Sequence, residues 1–191
     1  MDIEDWKREI EEERSQKDEF FKMGYQSPIS PEAIVSFKGL DYYDPDPNLR
    51  FELELHEHEE KKTLKIEDTK GNEREFFRWG EFRFTIGNTE CTIQAYKSSP
   101  QEEGLFIPFR DETSGKETYG AGRYIDLNNE EHYTAEGKWN LDFNKAYNPW
   151  CAYSEDYACP FTPTENWLNV PVYAGEKDYK NKSSKKGINS W

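Results

Sequence analysis

The side chains of this sequence that could do chemistry lie mostly in its second half, and Arg123 leads them. In the run ETYGAGRYIDL a period of two sets Arg123 beside Tyr119, Ala121, Ile125 and Leu127, on a face that reads as interior. Thr118, Gly120, Gly122, Tyr124 and Asp126 share the other face. A guanidinium on an interior face must be answered by carboxylates or by an anionic ligand. Asp111, Asp142 and Glu165 are the protein partners within reach of such a scheme, and a structural network among them is one reading. The other is a fork that grips a carboxylate or phosphate of a bound molecule, since guanidinium geometry matches those groups two bonds at a time. Around Arg123 the candidate ligand-binding residues are Asp111, Asp142, Asn144, Tyr147, Asn148, Tyr153, Glu165 and Asn166. Two carboxylates with an arginine could also serve general acid and base chemistry, with Asp142 or Glu165 as base, if burial separates their pKa values.

Other chemistry is poorly supplied. No Ser, His and Asp arrangement, glycine-rich phosphate loop or metal-binding signature is present, and no cofactor is expected. Three cysteines do not make a disulfide framework. Cys151 and Cys159 could pair or share a metal, but their spacing fits no common zinc module, and His56, Glu57 and His58 lie far away in sequence. Packed free thiols without a metal are the expectation. Cys151 is the one candidate nucleophile, although an acidic, aromatic setting raises a thiol pKa. His56 and His58 fall on the wet face of RFELELHEH, and His132 sits in the polar turn NNEEHYTAEG; all three read as solvated.

A net charge of -14 argues against nucleic acid or an anionic membrane as partner, because both are held by Lys and Arg that displace counterions. No run of 18 apolar residues is present, so no membrane span is expected. The start, MDIEDWKREIEEER, is acidic and amphipathic where a secretory signal would be basic and then apolar, which points to the cytoplasm.

The elements that must position these residues form a mainly β architecture. A helix over residues 2–24 is capped by Asp2, anchored by Trp6, Ile10, Phe20 and Phe21, and laced by the pairs Glu4 to Arg8 and Glu13 to Lys17. Its remaining polar turns read as surface. From Ala33 to Phe143 the period becomes two: AIVSFKGL, RFELELHEH, KTLKIED, REFFRWG, EFRFTIG, ECTIQAYK, GLFIPFR, ETYGAGRYIDL and KWNLDFN are separated by turn chemistry. This predicts an antiparallel meander closing into a barrel or a strongly curved sandwich, since closure removes exposed edges. More than twice as many strand as helix residues should result. The alternating glycines of TYGAG suit barrel curvature or the close approach of a ring or ligand. Residues 144–177 lose all period but keep Tyr147, Trp150, Tyr153, Tyr157, Phe161 and Trp167, which describes a packed loop that plugs the sheet or walls a pocket. A single domain over 1–177 with a loose tail at 178–191 follows. With 12 Tyr, 12 Phe and 6 Trp, its core should be aromatic.

The runs PFRDETSGKETYGAGRYIDL, LDFNKAYNPWCAY, CPFTPTENWL and AGEK resemble the DUF1684 family of bacterial and archaeal proteins, and the resemblance extends over essentially the whole chain, including the Trp6 helix and FKGLDYY. Trp150 stands where the family's NPYCAY-like run usually has Tyr, a conservative departure. The resemblance implies no established function and carries over no catalytic residue. The residues themselves favour a module that binds a small polar or anionic metabolite between the sheet and the aromatic loop. A hydrolase or isomerase with paired carboxylates, and a protein-interaction domain using the acidic helix, are the alternatives.

Overall fold

The computed structural model describes residues 2–180. Helix α1 (Ile3–Met23) begins where the Asp2 carboxylate accepts from the Ile3 N–H and ends at Gly24, whose N–H returns to the Phe20 carbonyl. Trp6, Ile10 and Phe21 are buried as expected, while Phe20 is exposed. The polar face does not simply lie in solvent. Lys145 reaches Glu9 at 2.9 Å and Glu13 at 2.7 Å, Lys17 reaches Glu176 at 2.7 Å, and the Trp6 indole donates to Asp142 at 2.7 Å. The expected pairs Glu4 to Arg8 and Glu13 to Lys17 give way to these contacts; Arg8 pairs with Asp5 instead.

The first run assigned to strand, AIVSFKGL, is in part the short helix α2 (Pro31–Ser36). Ser30 caps it by accepting from the Ala33 N–H at 3.2 Å, and Pro31 takes its first turn, a helix-start signal stronger than the β-branched residues behind it. Eight strands follow: β1 (Arg50–Leu53), β2 (His56–Glu57), β3 (Thr63–Glu67), β4 (Glu73–Ile86), β5 (Thr89–Lys97), β6 (Leu105–Phe109), β7 (Arg123–Leu127) and β8 (Trp139–Asp142), with the helical turn α3 (Asn129–His132) before the last. Strand outweighs helix, but by less than two to one, because α1 is long and residues 110–122 form turns.

All strand pairs are antiparallel. The larger sheet runs β2-β4-β5-β6-β7, with β3 also on β4, and β1 pairs only with β8 in a second, two-stranded sheet. The run RFELELHEH thus divides between the two sheets. No barrel forms and no sheet is strongly curled: β1 and β8 make a second layer where a barrel would have continued around. The edge of β7 is answered by the loop instead, Tyr124 and Tyr147 exchanging backbone hydrogen bonds at 2.9 and 3.0 Å. That local cover removes the exposed edge that closure would have removed.

Strand β7 also starts later than its alternation suggests. Gly120 and Gly122 belong to the turn that leads into it. At Gly122 φ is +104°, and a Cβ would come within 2.5 Å of the Phe109 carbonyl, so glycine here serves a turn pressed against β6 and not a curved strand. Inside β7 the faces are as expected, with Arg123, Ile125 and Leu127 buried.

The main core lies between the sheets. Phe143 is its hub, with rings of Phe51, Phe84 and Phe109 at 6.0, 5.5 and 5.2 Å. Leu168, Val170, Val172 and Ala174 join it from the aromatic loop. A smaller cluster of Ile66, Phe76 and Tyr96 lies apart from it. The tail is anchored at its start, where the Asp178 N–H donates to the Glu117 carbonyl and the Tyr179 ring packs on Tyr153; residues 181–191 lie outside the described residues. Among those described, no helix is long and apolar enough to cross a membrane.

Candidate functional site

Arg123 is fully buried, and its two terminal nitrogens are taken up by the protein while its Nε–H has no hydrogen-bond partner. It faces Asp111 at 3.5 Å and donates to the carbonyls of Val172 (3.0 Å), Glu176 (3.3 Å) and Ala174, above the Phe109 ring. Asp111 in turn accepts from the Val172 N–H at 2.7 Å and the Thr113 hydroxyl at 2.8 Å. Burial pulls the Arg123 pKa down, against the opposing pull of Asp111. One charge pair therefore fastens the 172–176 segment to β6 and β7.

Glu165 and Asn166 are held elsewhere. Glu165 accepts from the Tyr96 hydroxyl at 2.5 Å and pairs with Arg78 at 3.2 Å. Asn166 bridges β5 and β6, accepting from the Gln94 N–H at 2.7 Å and donating to the carbonyls of Gln94 (2.9 Å) and Pro108 (2.7 Å). The β5–β6 ladder has a single registered pair, Tyr96 with Phe106, and Pro108 has no N–H to offer, so the amide of Asn166 supplies the missing links.

The remaining five candidates come together on the other side of the loop, where α1 crosses it. Asp142 accepts from Trp6 and from the Asn144 backbone and amide, and Asn144 clamps both backbone groups of Asp46. Asn148 donates twice to Glu176 at 3.2 Å, where Tyr153 and Lys17 also donate. Glu176 is 1% exposed and is the hub of this corner. The sequence reading quoted AGEK as a motif without weighing its glutamate, because the partners at 17, 148 and 153 share no local pattern with it.

Asp142, Asn144, Tyr147 and Glu176 border a trough in two parts, and Asn148 and Tyr153 line neither. A cleft of about 320 Å³ opens between α1, β7, α3 and β8, lined in part by Asp126, His132, Asn140, Asp142 and Lys145. A recess of about 80 Å³ adjoins it, lined in part by Arg14, Lys17, Tyr42, Asn144 and Glu176. Glu13, Lys145 and Tyr147 belong to both. In the cleft Asp126 accepts from the Tyr147 hydroxyl, and crowding by protein raises its carboxyl even though it opens to the cleft; the Tyr147 bond works the other way. Desolvation and then Lys145 lower His132, whose Nδ1 accepts from the Asn128 N–H at 3.1 Å. Burial alone would lower Lys145, but its bonds to Glu13 and Glu9 win and hold it up.

In the recess Arg14 lies 4.5 Å over the Tyr42 ring and donates through Nη1 to the Tyr43 carbonyl at 2.9 Å. Its Nε–H and the Tyr42 hydroxyl are both buried and have no hydrogen-bond partner. Neither Arg14 nor Tyr42 was singled out from sequence; an arginine in line with Ile10, Lys17 and Phe21 on the anchoring face of the helix was the available signal. His56 is exposed, and His58 donates through Nε2 to the Gln94 amide oxygen at 2.7 Å. All three cysteines are buried and none is in a disulfide, and among the described residues no group of three or more His, Cys, Asp or Glu is arranged to hold a metal.

A two-layer antiparallel β protein, braced by one long helix and strapped by an irregular aromatic segment, is the class that this fold and trough define. The chain belongs to DUF1684, described as "Protein of unknown function (DUF1684)", whose family model matches residues 35–177. Helix α1 falls outside that match. It is similar to the uncharacterised protein from gene locus rrnAC0354 of Haloarcula marismortui, solved by solution NMR, at 36% identity over 91% of this chain and 95% of that one, with a TM-score of 0.69. No curated protein matches the chain.

Proposed function

We propose that this protein is a binding module for a small polar metabolite, held in the trough between α1, the β7 and β8 strands and the aromatic loop. The observation that carries the reading is the pair of partnerless buried donors, Arg14 Nε and the Tyr42 hydroxyl, on two residues that line one recess. A buried polar group left unsatisfied is costly and calls for an explanation, and a ligand oxygen accepting from both would supply it. The neighbouring cleft adds Asp126, Asn140 and His132 for the hydroxyl or amino groups of the same molecule. An anionic group suits the Arg14 end better, because Arg14, Lys17 and Lys145 there outnumber Glu13 and Glu176, whereas Glu13, Asp126, Glu131 and Asp142 line the cleft with Lys145 as its one cation besides His132. Three cysteines with none in a disulfide fit work in the reducing cytoplasm.

The test is a thermal-shift screen against metabolites, repeated on Tyr42→Phe. A ligand at 100 times its Kd should add about 2.7 kcal/mol to the stability of the wild-type protein. Tyr42→Phe keeps the ring beneath Arg14 and removes one unsatisfied hydroxyl, so the free variant should melt no lower than wild type yet lose most of the ligand's effect. A ligand that stabilises both proteins equally would move the site away from the recess.

A second reading, an enzyme working by acid and base, draws on Asp126, whose raised carboxyl shares the cleft with His132. The carboxylates first considered for that role, Asp142 and Glu165, are separately engaged with Trp6 and with Tyr96 and Arg78. Turnover of the screened ligand that Asp126→Asn abolishes while binding survives would favour this reading over simple binding.

A further inference from the structure

The aromatic loop contains a second constellation that the trough does not use. Cys151 and Cys159 are separated by residues 152–158, and the backbone of the first meets the sulfur of the second. The Cys151 N–H, at the start of the tight helical turn Trp150–Ala152, donates to Cys159 Sγ at 3.3 Å, and no side chain caps that turn. The Tyr119 hydroxyl lies 3.5 Å from Cys151 Sγ. The backbone of Cys159 is fixed on both sides: its N–H donates to Thr69 Oγ1 at 3.2 Å and its carbonyl accepts from the Thr69 N–H at 3.1 Å. The next residue, Pro160, bridges to Asp68 and receives the Tyr124 hydroxyl. A sulfur on clamped backbone, aimed at an N–H and at a second thiol, is a setting that stabilises a thiolate.

We propose that Cys159 and Cys151 are a thiolate and resolving-thiol pair that exchanges with low-molecular-weight disulfides and closes into an internal disulfide. The Cys159 thiolate attacks one sulfur of the external disulfide, whose S–S bond breaks and releases one thiolate. Cys151 then gives its proton to that leaving thiolate or to solvent and attacks Cys159 Sγ, which releases the second thiol. Two protein thiols are oxidised by two electrons in all, and one external disulfide is reduced to two thiols. The charge state needed at the first step agrees with the geometry: the Cys151 thiol, and then the Cys151 N–H, the charge of Arg74 and the Trp150 N–H, overcome burial and lower the Cys159 pKa to about 6. Cys91 has no such company. It is as buried as Cys159, but its thiol meets only backbone groups, those of Thr89 and Ile86, and burial raises its pKa. It is the internal control.

The reduced native protein is treated with oxidised glutathione, alkylated and mapped by mass spectrometry. The expected product is a Cys151–Cys159 cross-link, lighter by two hydrogens, with Cys91 recovered as the alkylated thiol. In Cys151→Ala the reaction should stop at a stable glutathione adduct on Cys159. The rate at which wild-type Cys159 reacts with iodoacetamide should rise to half its limit near pH 6, and that midpoint should move up in Cys151→Ala. A persistent adduct on wild-type Cys159, oxidation of Cys91 in preference, two thiols left intact after prolonged exposure, or a reaction midpoint at the ordinary thiol value of about 8.5 would each overturn the proposal.

Discussion

Arg123 shows what a single residue reveals from sequence and what it hides. A period of two was enough to put it on the buried face, and the demand for a carboxylate was enough to nominate Asp111. Its other three acceptors are backbone carbonyls of Val172, Ala174 and Glu176, and no side-chain pattern announces a carbonyl. The structure thus fills the fork with protein, and the guanidinium lines neither part of the trough. Arg123→Ala leaves Asp111 buried without its partner, so a loss on the order of 3 to 5 kcal/mol is expected in denaturant unfolding. Arg123→Lys should lose nearly as much, because one ammonium cannot reach carbonyls and a carboxylate spread over a planar fork. Either variant unfolding at the wild-type midpoint would mean that the 172–176 strap is held without Arg123, by its apolar residues and by the donors to Glu176. Glu176 was illegible for a related reason: its donors come from α1 and from two separate turns of the loop, so only the folded chain puts them in one place.

At the scale of elements, local chemistry was legible where one signal acted alone. Asp2 and Gly24 mark the ends of α1, and the turns at Gly71 and Gly87 mark hairpins, because capping and positive φ are local demands. Signals in competition misled. Ile34 and Val35 suggested strand, but Ser30 and Pro31 start a helix. The alternation TYGAGRYIDL suggested one strand, but its first half is a turn. Gly122 decides that case, and it supplies an element-scale prediction. Gly122→Ala puts a Cβ at φ +104° and 2.5 Å from the Phe109 carbonyl, so the turn or β6 must move. The conformational strain alone is about 1–3 kcal/mol, and the clash adds to it. Hydrogen exchange should then rise first in β6, β7 and residues 110–122, before β4 and β5. Uniform exchange across both sheets would show that this turn does not open as a separate unit.

At the scale of the molecule, the pattern of short antiparallel strands was read correctly and their arrangement was not. A barrel and a two-layer stack require the same alternation, and only long-range pairing distinguishes β1 joined to β8 from β1 continued into β2. The irregular segment supplies what closure would have supplied, with Tyr147 on the edge of β7 and Asn166 between β5 and β6. Charge acts over the same length scale. The net charge is -14, and the compact state gathers that excess into a small volume, which favours unfolding. Opposing this are the bridges from Lys145 to Glu9 and Glu13 and from Lys17 to Glu176, which pin α1. The first two are partly exposed and each is worth about 1 kcal/mol or less. Added salt weakens both terms as the Debye length falls from about 30 Å at 0.01 M to about 8 Å at 0.15 M. Repulsion is summed over many distant charges, and those are screened before contact pairs are. The melting temperature should therefore rise with sodium chloride over this range. A fall would mean that the docking of α1 by its ion pairs outweighs the repulsion of the entire acidic surface, and Lys145→Ala should then shift the dependence toward a rise.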